Sequence, residues 1–163
     1  MRIYGTTSRD LAGIAVKNHL HAMKNPKAQF HKPITIEDVL SSPVVSEPLH
    51  LLDCSPISDG ASAVVLSTSK PGAVQVAGWG VGHDHLAIAN RDHRDRLIAT
   101  EIAMRKATAT SSISQLEFDL MELHDCFTIA EILAVEDLGF CARGMGAAWI
   151  QGHPSRINTS GGL

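Results

Sequence analysis

The sequence has no apolar stretch near the roughly 18–20 residues that a membrane-crossing helix needs, so no membrane span is expected. It has no run of Lys or Arg that could neutralise a row of phosphates, and its net charge is −3, which leaves nucleic-acid binding without an electrostatic basis. The opening "MRIYGTTSRD" has a basic residue but no hydrophobic stretch behind it, so it is not expected to act as a secretory signal. Cysteines number three (Cys54, Cys126 and Cys141), an odd count that does not read as a disulfide framework. A reducing compartment, the cytoplasm, is the expected location. No internal repeat or low-complexity tract is present, and no CxxC pair. "GWGVG" at 78–82 lacks the spacing of a dinucleotide-binding turn. Glycines placed so in an extended run mark a close backbone approach instead.

With 44% apolar and 19% charged residues in a chain of 163, the composition describes a globular protein of at most one average domain. Ser8 is a plausible cap for a helix over "RDLAGIAVKNHLHAMKN", with Leu11, Ile14, Ala15, Leu20 and Ala22 as its apolar stripe, ended by Asn25-Pro26. Four of the seven prolines fall between residues 26 and 50, around a short helical turn "TIEDVLSS" capped by Thr35. Beyond the turn at Ser58-Asp59-Gly60, residues 63–66 ("AVVL") read as a buried strand and "AVQVAGWGVGHD" as a second one. "NRDHRDRLIATEIAMRKATA" reads as a helix, "EFDLMEL" as a strand and "CFTIAEILAVEDLGF" as a helix that Gly139 and Gly144 punctuate. "GHPSRINTSGGL" reads as loop. Strands alternating with helices predict an α/β fold.

The histidines form no convincing metal set. His19 and His21 diverge on a helix, and His83 and His85 would share a strand face but lack a third ligand at a familiar spacing. Cys126, near a helix start, would have a lowered pKa, although a small buried filler is the better reading for a lone cysteine. His124 stands at the carboxyl end of the "EFDLMEL" strand and at the mouth of the next helix, where open α/β sheets bind ligands. A histidine N–H beside a helix N-terminus can hold a developing oxyanion. It can also be a packed histidine with Asp125 as the helix cap, and the residues alone leave both readings open.

Three separated motifs, in order, resemble the thiolase family and its sterol-carrier-protein-type branch, over nearly the whole chain. "HDCFTIAEILAVEDLGF" is similar to the branch's "HDCF" signature, where most thiolases carry "NEAF". "CSPISDGASAVVL" resembles the segment leading from the pantetheine loop into the last strand of the first half, and "NTSGGL" the diglycine segment ahead of the catalytic "GHPxG".

The resemblance implies part of a layered αβαβα fold. Residues 1–70 would be the end of the first thiolase half, including a loop domain at about 20–55, and 71–163 the first part of the second half. The family's nucleophilic cysteine would lie upstream of Met1, and its "GHPxG" histidine and acid/base cysteine downstream of Leu163. Gly152-His153-Pro154 precedes the diglycine instead of following it, so His153 is read as loop.

By resemblance, His124 would bind the thioester carbonyl in an oxyanion hole, Phe127 would line the acyl pocket, and Ser55 would touch the coenzyme A arm. Pro56 stands where most thiolases have glycine. The implied chemistry is a Claisen condensation or thiolytic cleavage of acyl-CoA thioesters, with coenzyme A as substrate and no bound cofactor. The implied partners are acyl-CoA or CoA, with a second copy or a complementing thiolase half. The branch also holds aldolases, which carry a tyrosine at the position of His124; histidine there implies thiolase chemistry. The alternative is a non-catalytic fragment, an assembly subunit or an aldolase partner.

Overall fold

The cap of the first helix lies one residue earlier than expected, at Thr7 and not at Ser8. α1 (Ser8–Ala22) is capped by Thr7, whose side chain accepts from the Asp10 amide while the Asp10 carboxylate accepts from the Thr7 amide at 2.8 Å. Threonine prevails because the reciprocal bonds need an acid three residues on, which Asp10 supplies; Ser8 faces Leu11 at that spacing. The same device starts α2 (Ile36–Ser41), where Thr35 and Asp38 cap each other as expected of Thr35. The structure is a computed structural model and describes residues 1–68, 72, 74–111, 113 and 118–162.

α1 is the centre of the packing. Leu11 and Ile14 join Met121, Ile132, Val135, Ala147, Ile150 and Ile157 in the main core, while Ala12 and Ala15 pack on Val39 in a smaller one. Burying a leucine or isoleucine contributes about 1.5–3 kcal/mol, so this shared helix holds both clusters together. Leu20, expected in the apolar stripe, is exposed, and Lys17 and Asn18 are buried in its place. The helix thus leaves the apolar core in its second half and enters a polar one. After α2 comes a small antiparallel hairpin of β1 (Val44–Ser46) and β2 (Leu49–His50), with a cis Glu47–Pro48 peptide between them.

Neither of the two runs expected as strands after it forms a strand among the described residues. Val64 is 81% exposed, Val65 93% and Leu66 74%, and no ladder partner for residues 63–66 or 74–82 occurs among the described residues. A strand is only as stable as its neighbours, so apolar β-branched residues here lie open. Ala73 of the second run is outside the described residues.

That second run does find a helix. An added Cβ at Gly78, Gly80 or Gly82 would overlap the carbonyl oxygens of Ala107, Ala103 and Ala99 respectively. Alternate positions of an extended chain, 2 residues apart, therefore climb successive turns of α3 (Ile98–Thr110), 4 residues apart. The expected close backbone approach is what these glycines serve. The helix itself begins at Ile98, not at residue 90; only Ile88–Asn90 forms a 3₁₀ turn ahead of it.

Of the expected strand over "EFDLMEL", Glu117 lies outside the described residues. The remainder is a single parallel bridge, Met121 to Ile157. α4 (Thr128–Asp137) begins at Thr128, with Phe127 in the capping position and neither Asp125 nor Cys126 inside the helix. α5 (Gly146–Gly152) was not foreseen and packs Ala147 and Ile150 into the main core. Arg143 ties the ends of α3 and α4 together by pairing with Asp137 and Glu101, while the Leu97 amide donates to Asp137 at 2.7 Å. Among the described residues no helix is long and apolar enough to cross a membrane.

Candidate functional site

The end of the 118–125 segment is where the separated motifs meet. Met121 N–H donates to the Arg156 carbonyl at 2.8 Å, and Asn158 N–H donates back to the Met121 carbonyl at 2.9 Å. Two residues on, the Leu123 amide donates to Oδ1 of Asn158 at 2.6 Å. From the other side, Cys54 bridges Phe127 in antiparallel fashion and the Ser55 amide donates to the Cys126 carbonyl at 3.0 Å. Thr128 in the first turn of α4 donates to Asp53 at 2.9 Å, fastening the 51–55 segment to the helix start. Folding therefore gathers Ser55, the His124–Phe127 hinge and the 156–162 loop at one place, although Ser55 and Asn158 are more than a hundred residues apart.

A cavity of about 200 Å³ opens there. Asn18, His19, Cys54, Ser55, Asp125 and Gly162 are part of its wall, and the 25–30 loop with Phe30 closes another side. Gly161 has φ +113 and lies flat on Ala22, and Gly162, at φ +73, lies over the Asn18–Asp125 pair with no room for a Cβ. Neither His124 nor Phe127 is in the wall; His124 is exposed and Phe127 is 41% exposed. Alternation along extended chain turns Asp125 inward and leaves His124 outward. His153, expected in loop, is the residue that ends α5; its ring stacks on Trp149 at 4.3 Å and its Nδ1 lies 2.9 Å from the Trp149 carbonyl.

Beneath the cavity lies a polar cluster that the sequence did not reveal. The Lys17 ammonium stands 3.0 Å from Oε1 of Glu131, with side-chain exposures of 8% and 0%. Oε2 of Glu131 accepts from Nδ2 of Asn18 and from Nδ2 of Asn158, both at 2.9 Å. Asn18 gives its other amide hydrogen to Asp125 at 2.6 Å. Lys17 completes its coordination at the Ile157 carbonyl, 3.1 Å away, and at Asn18. Removing one partner of a buried pair costs about 3–5 kcal/mol, because the other charge is stranded. The one hint in the sequence is an acid inside the apolar run "TIAEILAV", on the face that α4 buries.

Two of the thiols, Cys54 and Cys141, are weakly disposed to act as nucleophiles. Burial pushes Cys54 up from its ordinary value, with Asp53 adding to it. Burial, helped by Glu136, pushes Cys141 to about 11. Among the described residues no group of three or more His, Cys, Asp or Glu side chains could hold a metal ion.

Set beside known proteins, residues 80–163 match the family model described as thiolase C-terminal domain-like. The acetyl-CoA acetyltransferase of Methanothermobacter thermautotrophicus is 44% identical over 98% of this chain and 45% of its own length. Sterol carrier protein 2 of Bos taurus is 32% identical over 100% of this chain and 33% of its own. A solved chain of the Ltp2-ChsH2(DUF35) aldolase superposes with a TM-score of 0.86 at 31% identity, over 99% of this chain and 47% of that one. The chain thus spans less than half the length of each of these relatives.

Proposed function

The chain belongs to the thiolase family and has a thiolase-like fold, and on that footing we propose that it forms part of an acyltransferase working on acyl-CoA thioesters. The observation that carries the reading is the convergence of Ser55, Asp125 and the diglycine loop on one cavity, with His124 next to Asp125 and outside the wall. In this reading His124 donates an N–H to the thioester carbonyl as it becomes an oxyanion, in condensation or in thiolysis. Phe127, exposed beside it, lines the acyl pocket, and Ser55 contacts the coenzyme A arm. Residues 1–70 are the end of the first thiolase half and 71–163 the start of the second. The nucleophilic cysteine and the proton-transferring groups come from the rest of a relative-length protein or from a complementing half, in the cytoplasm, and a second copy is the further expected partner. Coenzyme A enters as substrate, with no resident cofactor.

A second reading, as a non-catalytic chain or an aldolase partner, is favoured by the likeness to the aldolase chain. The histidine at 124, where the family's aldolases carry tyrosine, weighs for thiolase chemistry.

The test is thiolysis of acetoacetyl-CoA by a protein of the relatives' full length that carries this segment. His124→Ala should lower turnover by about 10²–10³, the usual loss for one oxyanion donor. His153→Ala, which alters a ring stacked at the end of α5, should leave turnover near its starting value. The 163-residue chain alone should not turn over. A crippled His153→Ala beside a normal His124→Ala would sink the assignment.

A further inference from the structure

His124 is gripped through both of its neighbours, and both grips end on the same carboxylate oxygen. On one side the Leu123 amide is held by Oδ1 of Asn158 at 2.6 Å; on the other the Asp125 carboxylate is held by Nδ2 of Asn18 at 2.6 Å. Each asparagine then spends an amide hydrogen on Oε2 of Glu131, at 2.9 Å from Asn18 and 2.9 Å from Asn158. Lys17 occupies the other oxygen at 3.0 Å.

From this juxtaposition we propose that Glu131 is a positioning residue for His124, acting through Asn18 and Asn158 as two arms of one clamp. The inference rests on the proposed role of His124 as carbonyl donor, for which the position of the ring must be set before substrate arrives.

The geometry explains why a carboxylate is needed. Each asparagine must present a fixed face: Asn158 its oxygen to Leu123 and its nitrogen to Glu131, and Asn18 both of its hydrogens to acids. An acceptor-only group between two donating amides settles both orientations at once. Glutamine at 131 would bring a donating NH₂ group against either the Lys17 ammonium or the two amides, so Lys17 or the arms of the clamp must shift. The clamp also carries the diglycine, since Gly162 rests on the Asn18–Asp125 pair. Lys17 and Asn18 come from α1, Glu131 from α4 and Asn158 from the last loop, so three parts of the chain fix the residues on either side of His124.

The test is NMR of the 163-residue chain itself, kept dilute below the onset of its self-association, with the His124 ring signals assigned through His124→Gln. Glu131→Gln and Asn18→Ala are compared with Val39→Ala, which lowers stability from the separate Ala12–Ala15–Val39 cluster. The two clamp variants should move the His124 ring signals, and Glu131→Gln should speed Leu123 amide exchange about fivefold relative to α1 amides, as expected for one weakened hydrogen bond. Val39→Ala should do neither. Unmoved His124 and Leu123 signals in a folded clamp variant overturn the proposal, and so does an equal movement in Val39→Ala. If Glu131→Gln fails to fold, Asn18→Ala, which leaves the Asn158 arm in place, decides the question alone. Turnover is not measured here, so failure of the clamp and failure of the thioester reading show separately.

Discussion

At the scale of single residues, the environment of a side chain decides its chemistry more than its identity does. Cys141 is a thiol pushed to about 11 by burial and by Glu136, and Cys54 is raised by burial and Asp53. A raised thiol pKa keeps the proton on at neutral pH, so for Cys141 only about a thousandth is thiolate at pH 8. Labelling by iodoacetamide, followed by peptide mass spectrometry, should therefore be slow at Cys141 and rise about tenfold per pH unit up to pH 11. Labelling at the rate of a free thiol at pH 8 would contradict the burial argument. His153 makes the same point from the other side. The string Gly152-His153-Pro154 looks like a catalytic motif, yet the ring is stacked on Trp149 at the end of α5.

Among the elements, the most exacting fit is the glycine-lined run on α3. Gly80 faces the Ala103 carbonyl and the Ala107 amide, both backbone atoms that cannot swing aside. Gly80→Ala should lift the run from the helix and cost about 1–3 kcal/mol, as overpacking does. Urea unfolding followed by far-UV circular dichroism measures it, and an unchanged midpoint would mean that the run does not bear on α3. The helices were largely readable, because capping boxes and apolar periodicity are local. The unpaired runs were not, because a strand is defined by a neighbour that its own residues do not specify. α5 was missed for a related reason: the seven residues of Gly146–Gly152 are short, bounded by glycine and held by tertiary burial of Ala147 and Ile150.

For the whole molecule, the dominant feature is apolar surface left in the open. Val64, Val65, Leu66, Val74, Val76 and Leu86 are all exposed, and no sheet covers them among the described residues. Such surfaces adhere to one another. Light scattering on the isolated chain should show oligomers or loss of solubility as concentration rises. A stable compact monomer at high concentration would show that these runs are covered in solution. A polypeptide supplying the remainder of a relative's length would be expected to suppress the association by pairing with them.

The sequence by itself determined the α/β class, the cap at Thr35, the role of glycines 78, 80 and 82, and, through three ordered motifs, the family. All of these depend on spacings within short stretches of chain, which are visible without coordinates. Only the tertiary structure decided that Ser55, His124 and the diglycine share a place, that Asp125 turns inward while His124 does not, and that Lys17, Asn18, Glu131 and Asn158 form one buried cluster. A buried charge is tolerable only where partners from distant segments arrive together, and no local pattern records that arrival.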